Sequence, residues 1–175
     1  MISEEVEMSV AERVHFRLIS LIHEDLYGLF RDPYEVLQSA GLRPGQEVLE
    51  VGCGPGFFTI PAARLVGEKG TVHALDVNPL ALERARQKVE QEGVTNVRTI
   101  LADAGQTGLP DESFDLIFVF GLGHVVGGED RMMSELHRLL KPKGTLSVEG
   151  RLRPRRELFH PVKTVSRMTQ YRKAA

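Results

Sequence analysis

A carboxylate and three glycines follow one another in the segment EVGCGPG, residues 50–56. Glu50 stands near the end of an apolar run, and the glycines occupy positions 52, 54 and 56. Glycine lets the backbone turn sharply and approach a ligand closely, because it has no Cβ. A carboxylate at the same place attracts a cationic group, such as an ammonium or a sulfonium, by Coulomb's law. The segment therefore predicts a binding loop for a ligand that carries positive charge.

A second carboxylate, Asp76, ends the next apolar run, 20 residues after Gly56. A carboxylate at this spacing can accept hydrogen bonds from two ribose hydroxyls. A tight turn followed by an ordinary helix cap is the alternative explanation of these residues. The dinucleotide motif G-x-G-x-x-G would require glycine at position 57, which is Phe57, and the phosphate-loop motif G-x-x-x-x-G-K-[ST] is absent. An NAD(P)-dependent oxidoreductase is therefore a less favoured alternative.

The elements that position these residues alternate between strand-like and helical patterns, which is typical of βαβ units and a parallel sheet. The first three strand-like runs begin about 25 residues apart, enough for a strand, a turn and a crossover helix. The predicted strands are Glu47–Val51, Thr71–Asp76, Asn96–Ala102, Phe114–Phe120 and Thr145–Glu149.

Helices are predicted between the strands and ahead of them. Asn78 is a good N-cap, Pro79 suits the first helical position, and Gly93 gives a stop. The other predicted helices cover residues 57–66, 130–140, 5–29 and 32–41. We expect an α/β fold with a Rossmann-like, mostly parallel sheet and helices on both faces. Its 175 residues would form a single domain with a helical N-terminal cap (1–43), a core (44–149) and a basic C-terminal arm (150–175).

Composition and charge narrow the class of protein. The formal net charge is −2, but residues 151–175 carry eight basic residues and one acid, so the tail is +7 and the remainder is −9. An acidic body disfavours a broad nucleic-acid-binding surface, because it repels the phosphate backbone. One cysteine, an acidic N-terminus and no apolar run near ~18 residues predict a cytoplasmic protein without a membrane span. No metal is expected.

The segment VLEVGCGPG, residues 48–56, resembles motif I of class I S-adenosylmethionine-dependent methyltransferases, particularly those that act on small molecules. The resemblance continues, in order, in ALDVN (74–78), LADA (101–104), FDLIF (114–118) and ELHRLLKPKG (135–144). It covers roughly residues 44–149, and five motifs at suitable spacings are more specific than any one of them.

The resemblance implies that S-adenosylmethionine is the methyl donor, S-adenosylhomocysteine the product, and a small molecule the acceptor. It implies that the glycine loop wraps the methionine part, that Glu50 orients its amino group and that Asp76 holds the ribose. It implies that Asp103 accepts from the adenine amine and that Phe120 lines the pocket near the sulfonium. The cofactor-binding residues so implied are Glu50, Gly52, Cys53, Gly54, Gly56, Asp76, Val77, Asn78, Asp103, Ala104 and Phe120.

Methyl transfer from a sulfonium is an in-line displacement, so a base is needed only if the acceptor holds its proton. His124 follows the fourth predicted strand, where this family often presents substrate-facing groups, and is the candidate general base. A packing or exposed loop histidine is the alternative. Tyr27 is a candidate to close over the cofactor. The run GLGH at 121–124 lacks the Asn/Asp-Pro-Pro-aromatic motif of adenine-N6 and glutamine-amide methyltransferases.

The C-terminal end departs from the family pattern. A helix and a two-stranded hairpin commonly follow the fifth strand, whereas only about 25 residues remain and their pattern is loose. We therefore expect a helix or irregular arm there, with the C-terminal strands missing or truncated and an open edge that a homodimer could cover. A non-catalytic S-adenosylmethionine-binding or partner-dependent subunit is the alternative function.

Overall fold

The computed structural model describes residues 32–121, 125, 127–165 and 167–174, and the part from Pro33 onward forms one compact unit. The predicted helix over residues 5–29, Tyr27 and His124 lie outside the described residues. The described helices are α1 (Pro33–Ala40), α2 (Thr59–Val66), α3 (Pro79–Gln91) and α4 (Glu129–Leu139). The strands are β1 (Glu47–Val51), β2 (Thr71–Asp76), β3 (Val97–Leu101), β4 (Phe114–Val119), β5 (Leu140–Glu149), β6 (Phe159–Val165) and β7 (Met168–Lys173). Within this part of the chain, each helix is too short to cross a membrane.

The strands form one seven-stranded sheet in the order β3-β2-β1-β4-β5-β7-β6. The first five strands in that order run parallel to one another, whereas β7 is antiparallel to β5 and β6 is antiparallel to β7. Val51 of β1 is in register with Leu75 of β2 and with Val119 of β4. The predicted Rossmann-like sheet is confirmed, and its central strands end together at one edge.

Alternating side chains of the central strands bury two separate cores, one on each face of the sheet. On one face, Leu37 of α1 and Ala63 of α2 pack with strand residues that include Phe118. On the other face, Leu136 of α4 packs with residues that include Ile117. The predicted helices on both faces are confirmed.

Local signals account for the helix that follows β2. The Asn78 side chain accepts a hydrogen bond from the Leu80 N–H at 3.0 Å, and Pro79 occupies the first helical position, where its missing N–H costs nothing. Gly93, just beyond the helix, has φ +63°. β1 and β2 have the predicted bounds. α3 begins directly after the predicted N-cap Asn78 and ends just before the predicted stop at Gly93.

The C-terminal residues form the β6–β7 hairpin, so the expected helix or irregular arm after Gly150, with missing or truncated strands, is wrong. Phe159, Met168 and Tyr171 are buried, while the rest of β6 is exposed. Because only a few hairpin residues contact the core, the sequence shows little alternation. Pro161 argues against a strand in the sequence, because proline has no N–H for a ladder. It lies in β6, the edge strand of the sheet, where a proline is tolerated.

β5 begins at Leu140, five residues before the predicted start at Thr145, and α4 correspondingly ends at Leu139. The register with β4 shifts between Phe114 and Leu116, so the segment KPKG, residues 141–144, bulges out of the ladder. Proline has no N–H to give to a ladder, which favours a bulge here. A Cβ on Gly144 would lie 2.6 Å from Leu140 Cδ2 and 3.0 and 3.1 Å from the Lys141 and Phe114 carbonyl oxygens, so this close packing favours glycine in the bulge.

Candidate functional site

The glycine loop is attached to the carboxyl end of β2. The Gly52 and Cys53 N–H groups both donate to the Leu75 carbonyl, at 2.8 and 3.0 Å. Gly54 and Gly56 have φ values of +54° and +91°, which side chains with a Cβ rarely adopt. A Cβ built on Gly54 would meet nothing within 4 Å, so the loop has an open side there.

Glu50 lies next to this loop and is almost completely buried, with 3% of its surface exposed. The Thr59 hydroxyl donates a 2.6 Å hydrogen bond to Glu50 Oε2. Burial, and to a smaller extent the nearby charge of Asp76, raise the pKa of Glu50 to about 8, against the opposing effect of the Thr59 hydrogen bond. Glu50 is therefore a protonatable group in a site that would receive a cation.

Thr59 is a site residue that the sequence analysis missed. It is fully buried at the first position of α2, where its hydroxyl reaches the strand end. The available signal was a hydroxyl residue in the first turn of the helix that follows the glycine loop. Thr59 gives Glu50 a donor that is compatible with either a protonated or an ionised carboxyl.

Asp76 connects the glycine loop to the start of α3. Its Oδ2 accepts from the Gly54 N–H at 2.8 Å, and its Oδ1 accepts from the Asn78 N–H at 2.9 Å. Each carboxylate oxygen keeps a second lone pair for a hydroxyl donor. Asp76 thus fixes the loop conformation, and the ribose role implied by the resemblance stays a prediction.

Asp103 lies in the turn after β3 and has a partner that the sequence did not indicate. Its Oδ1 accepts from the Gly105 N–H at 2.7 Å, and its Oδ2 lies 3.6 Å from Arg131 Nη1 of α4. Arg131 also hydrogen-bonds Gln106. Ala104 is half-buried beside them. The adenine-binding role of Asp103 and Ala104 stays a prediction.

Three other predicted residues differ in exposure. Phe120 is 8% exposed, and its ring centroid lies 5.2 Å from Phe58 and 4.8 Å from Phe118. Cys53 is buried, and burial raises the pKa of its thiol above the ordinary range, so it is not a reactive thiolate. Val77 is 47% exposed beside Asn78, on the open side of the strand end.

The predicted residues thus lie along the carboxyl ends of β1 to β4, which is the edge where open α/β sheets bind ligands. His124 is not placed, because it lies outside the described residues. Among the residues that the structure describes, His, Cys, Asp and Glu form no cluster of three that could hold a metal ion.

Comparisons with known proteins agree with this geometry. Residues 48–144 match the family model described as "Methyltransferase domain". The chain is 36% identical over 128 residues to the ubiquinone/menaquinone biosynthesis C-methyltransferase UbiE of Shewanella pealeana, an alignment that covers 72% of this chain and 51% of that protein. The chain spans about half the length of the curated relatives it matches.

Two solved structures are informative. A SAM-dependent methyltransferase from Aquifex aeolicus has a TM-score of 0.72 and 28% identity, with coverage of 82% of this chain and 90% of that one. The [4+2]-cyclase SpnF has a TM-score of 0.60 and 26% identity, with coverage of 66% and 42%.

The fold is that of class I S-adenosylmethionine-dependent methyltransferases. The chain belongs to the methyltransferase domain family, whose members of this class use S-adenosylmethionine. The residues present fit that cofactor, because Glu50 and Asp76 place two carboxyl groups beside a loop that is open at Gly54. An ionised Glu50 would match the ammonium of that cofactor, and the Asp76 carboxylate keeps lone pairs for ribose hydroxyls.

Proposed function

We propose that this protein transfers the methyl group of S-adenosylmethionine to a small-molecule acceptor. The observation that carries the proposal is the buried Glu50 carboxyl beside a glycine loop that is open at Gly54. Membership of the methyltransferase domain family supports the same activity. Nucleic acid is not the expected acceptor, because the chain outside the last 25 residues has a net charge of −9.

When bound, the cofactor supplies an electrophilic methyl group on a sulfonium. Glu50 would lose its proton and hold the ammonium of the methionine part, while Thr59 keeps the carboxylate oriented through its 2.6 Å hydrogen bond. Asp76 would accept from the ribose while its existing hydrogen bonds keep Gly54 and Asn78 in place. These residues contribute alignment, which is the main requirement of an in-line displacement.

An acceptor that holds its proton also needs a base. His124 is the proposed residue, since an imidazole titrates near neutral pH. If so, His124→Ala lowers turnover and leaves cofactor affinity unchanged. Full turnover by that variant would remove His124 from the mechanism.

The first test of the cofactor is isothermal titration calorimetry with S-adenosylmethionine, S-adenosylhomocysteine and NADH. Micromolar binding of the first two and none of NADH supports the proposal. Preference for NADH would favour an oxidoreductase instead. Absence of binding by all three would contradict the proposed cofactor site.

The second test is transfer of a labelled methyl group to a panel of acceptors. Precursors from ubiquinone and menaquinone biosynthesis are tested first, because the UbiE relative is a C-methyltransferase of that process. The cyclase SpnF has a similar fold, so the fold alone does not establish methyl transfer. Tight binding with no transfer to any acceptor would favour the non-catalytic or partner-dependent alternative.

A cytoplasmic location and a homodimer are also proposed. The single cysteine is compatible with a reducing compartment, where disulfides are rare. Edge strand β6 exposes Val162 and Val165, which gives a second copy an apolar strip to cover. Fractionation of the native source and sedimentation velocity of the purified chain would test the two proposals.

A further inference from the structure

A cavity of about 310 Å³ lies at the N-terminal ends of β1, β4 and β5. This is the edge of the sheet opposite the glycine loop. Ten residues line it, and half of them carry charge. We call it the basic cavity, because its charged residues are Arg43, Lys141, Lys143, Arg172 and the single acid Asp115. Four cations and one carboxylate give it a net charge of +3, whereas the whole chain has −2.

The β5 bulge creates one wall of the basic cavity. Residues 141–144 leave the ladder with β4, which brings both Lys141 and Lys143 to the cavity. The acid is already engaged: Asp115 Oδ1 accepts from Lys141 Nζ at 2.8 Å, and its Oδ2 accepts from the Glu47 N–H at 2.9 Å. Asp115 therefore neutralises Lys141, and the other three cations of the cavity have no carboxylate partner among the described residues that line it.

The hairpin forms another wall and holds one of these cations rigidly. Arg172 Nη1 donates to the Lys143 carbonyl at 2.7 Å and to Thr145 Oγ1 at 2.6 Å. In contrast, among the described residues no ion pair or side-chain hydrogen bond engages the charged groups of Arg43 and Lys143. The cavity thus combines one fixed guanidinium with two charges that are free to meet a ligand.

Like charges that a fold holds together repel one another, and an anion that enters between them relieves the repulsion. The volume is at the lower end for small-molecule sites, which are about 300–1,000 Å³. A single phosphate group carries about −1.5 to −2 near pH 7, which is less than the charge of the cavity. Two linked phosphate groups match both the charge and the spread of cations over separate walls.

We propose that the basic cavity binds a diphosphate group, at a site separate from the glycine loop. The diphosphate would be free pyrophosphate or part of a larger metabolite. Arg43 and Lys143 contact it directly, and Arg172 contributes a planar, fixed donor group. The proposal does not depend on methyl transfer, because the two sites lie at opposite ends of the strands.

The test is calorimetric titration of the full chain with inorganic pyrophosphate, with orthophosphate and ADP as further arms, at one constant ionic strength. We expect saturable pyrophosphate binding with a Kd below about 1 mM and at least tenfold weaker binding of orthophosphate. ADP that binds as tightly as pyrophosphate would identify the diphosphate of a metabolite as the source. ADP that binds at least tenfold more weakly would identify free pyrophosphate.

The double variant Arg43→Gln/Lys143→Gln removes the two unpaired charges without breaking a hydrogen bond of their side chains. It should weaken pyrophosphate binding at least tenfold and abolish the rise in Tm that pyrophosphate causes. Lys163→Gln is the matched control: it removes an exposed lysine of the same hairpin, outside the basic cavity, and should change the Kd less than twofold. Absence of saturable binding, equal affinity for orthophosphate, or an equal effect of the control would overturn the proposal.

Discussion

Glu50 and Asp76 lie at the ends of neighbouring strands, but their surroundings differ. Glu50 is buried with Thr59 as its hydrogen-bond donor, and its pKa is about 8. Asp76 accepts two backbone N–H bonds and organises the loop. One carboxyl can therefore respond to the arrival of a cation by changing its protonation, while the other is already committed to the loop.

The protonation of Glu50 should couple cofactor binding to pH. At pH 7 a group with a pKa of about 8 is mostly protonated in the free protein, and the cofactor ammonium favours its ionised form. Binding should thus release up to about one proton at pH 7. Affinity should rise from pH 6 toward pH 8 and then fall as the ligand amine, with a pKa of about 7.7–8.0, loses its own proton. Calorimetry in buffers of different ionisation enthalpy measures the released proton.

Two variants separate this effect from other titrations. Glu50→Gln should bind more weakly and release no proton, because its amide cannot ionise. Glu47→Gln is the matched control, since Glu47 lies at the other end of β1 and pairs with His73 at 3.0 Å. Proton release that persists in Glu50→Gln would assign the coupling to another group.

Asp76→Ala should weaken S-adenosylmethionine binding by about 1.5–3 kcal/mol, which is the usual loss for hydrogen bonds to a charged group. Part of the loss would come from the Gly54 and Asn78 N–H groups, which lose their acceptor. Asp115→Ala is the control, because that carboxylate also accepts two hydrogen bonds but lies at the opposite edge of the sheet. Calorimetry on both variants decides: equal cofactor affinity of Asp76→Ala and the unmodified protein would exclude Asp76 from the site.

At the scale of elements, the sequence predicted best where local chemistry decides the structure. β1, the glycine loop and α3 carry their own turn, cap and stop residues, so their positions followed from the sequence. The β5 bulge did not, because pairing with a distant strand shifts the register at Phe114. Thr59 and Arg131 were missed for a similar reason, since their partners, Glu50 and Asp103, are brought near them only by the fold.

The open side of the glycine loop leads to a prediction for that element. Gly54→Val should abolish detectable cofactor binding and leave a folded protein, because the new side chain enters open space that the ligand would occupy. Gly67→Val is the matched control: Gly67 also has positive φ and open space, but it caps α2. Both variants carry backbone strain of about 1–3 kcal/mol. Calorimetry should find normal affinity in the control only, and loss of binding in both would make strain the cause.

At the scale of the whole molecule, the hairpin joins the positive tail to an acidic body. β7 pairs along β5, and Lys173 Nζ donates to the Leu140 carbonyl at 2.9 Å and lies 3.5 Å from Glu112. Arg155 likewise lies 3.5 Å from Asp130 of α4. Some basic residues of the tail thus contact carbonyl and carboxylate groups of the preceding residues, and Arg172 lines the basic cavity. The tail is a structural part of the sheet.

This arrangement predicts that the hairpin unfolds together with the core. Phe159 is fully buried among residues of α4 and β5, and its ring centroid lies 5.5 Å from that of His137. Phe159→Ala should lower the free energy of unfolding by about 3–5 kcal/mol, a large part of the about 5–15 kcal/mol of a typical domain. Val162→Ala, on the same strand but 59% exposed, should change it by less than about 0.5 kcal/mol. Urea unfolding followed by circular dichroism measures both values. Equal, small effects would mean that the hairpin separates from the core at little cost. A large loss in Phe159→Ala with one cooperative transition would show that the hairpin folds as one unit with α4 and β5.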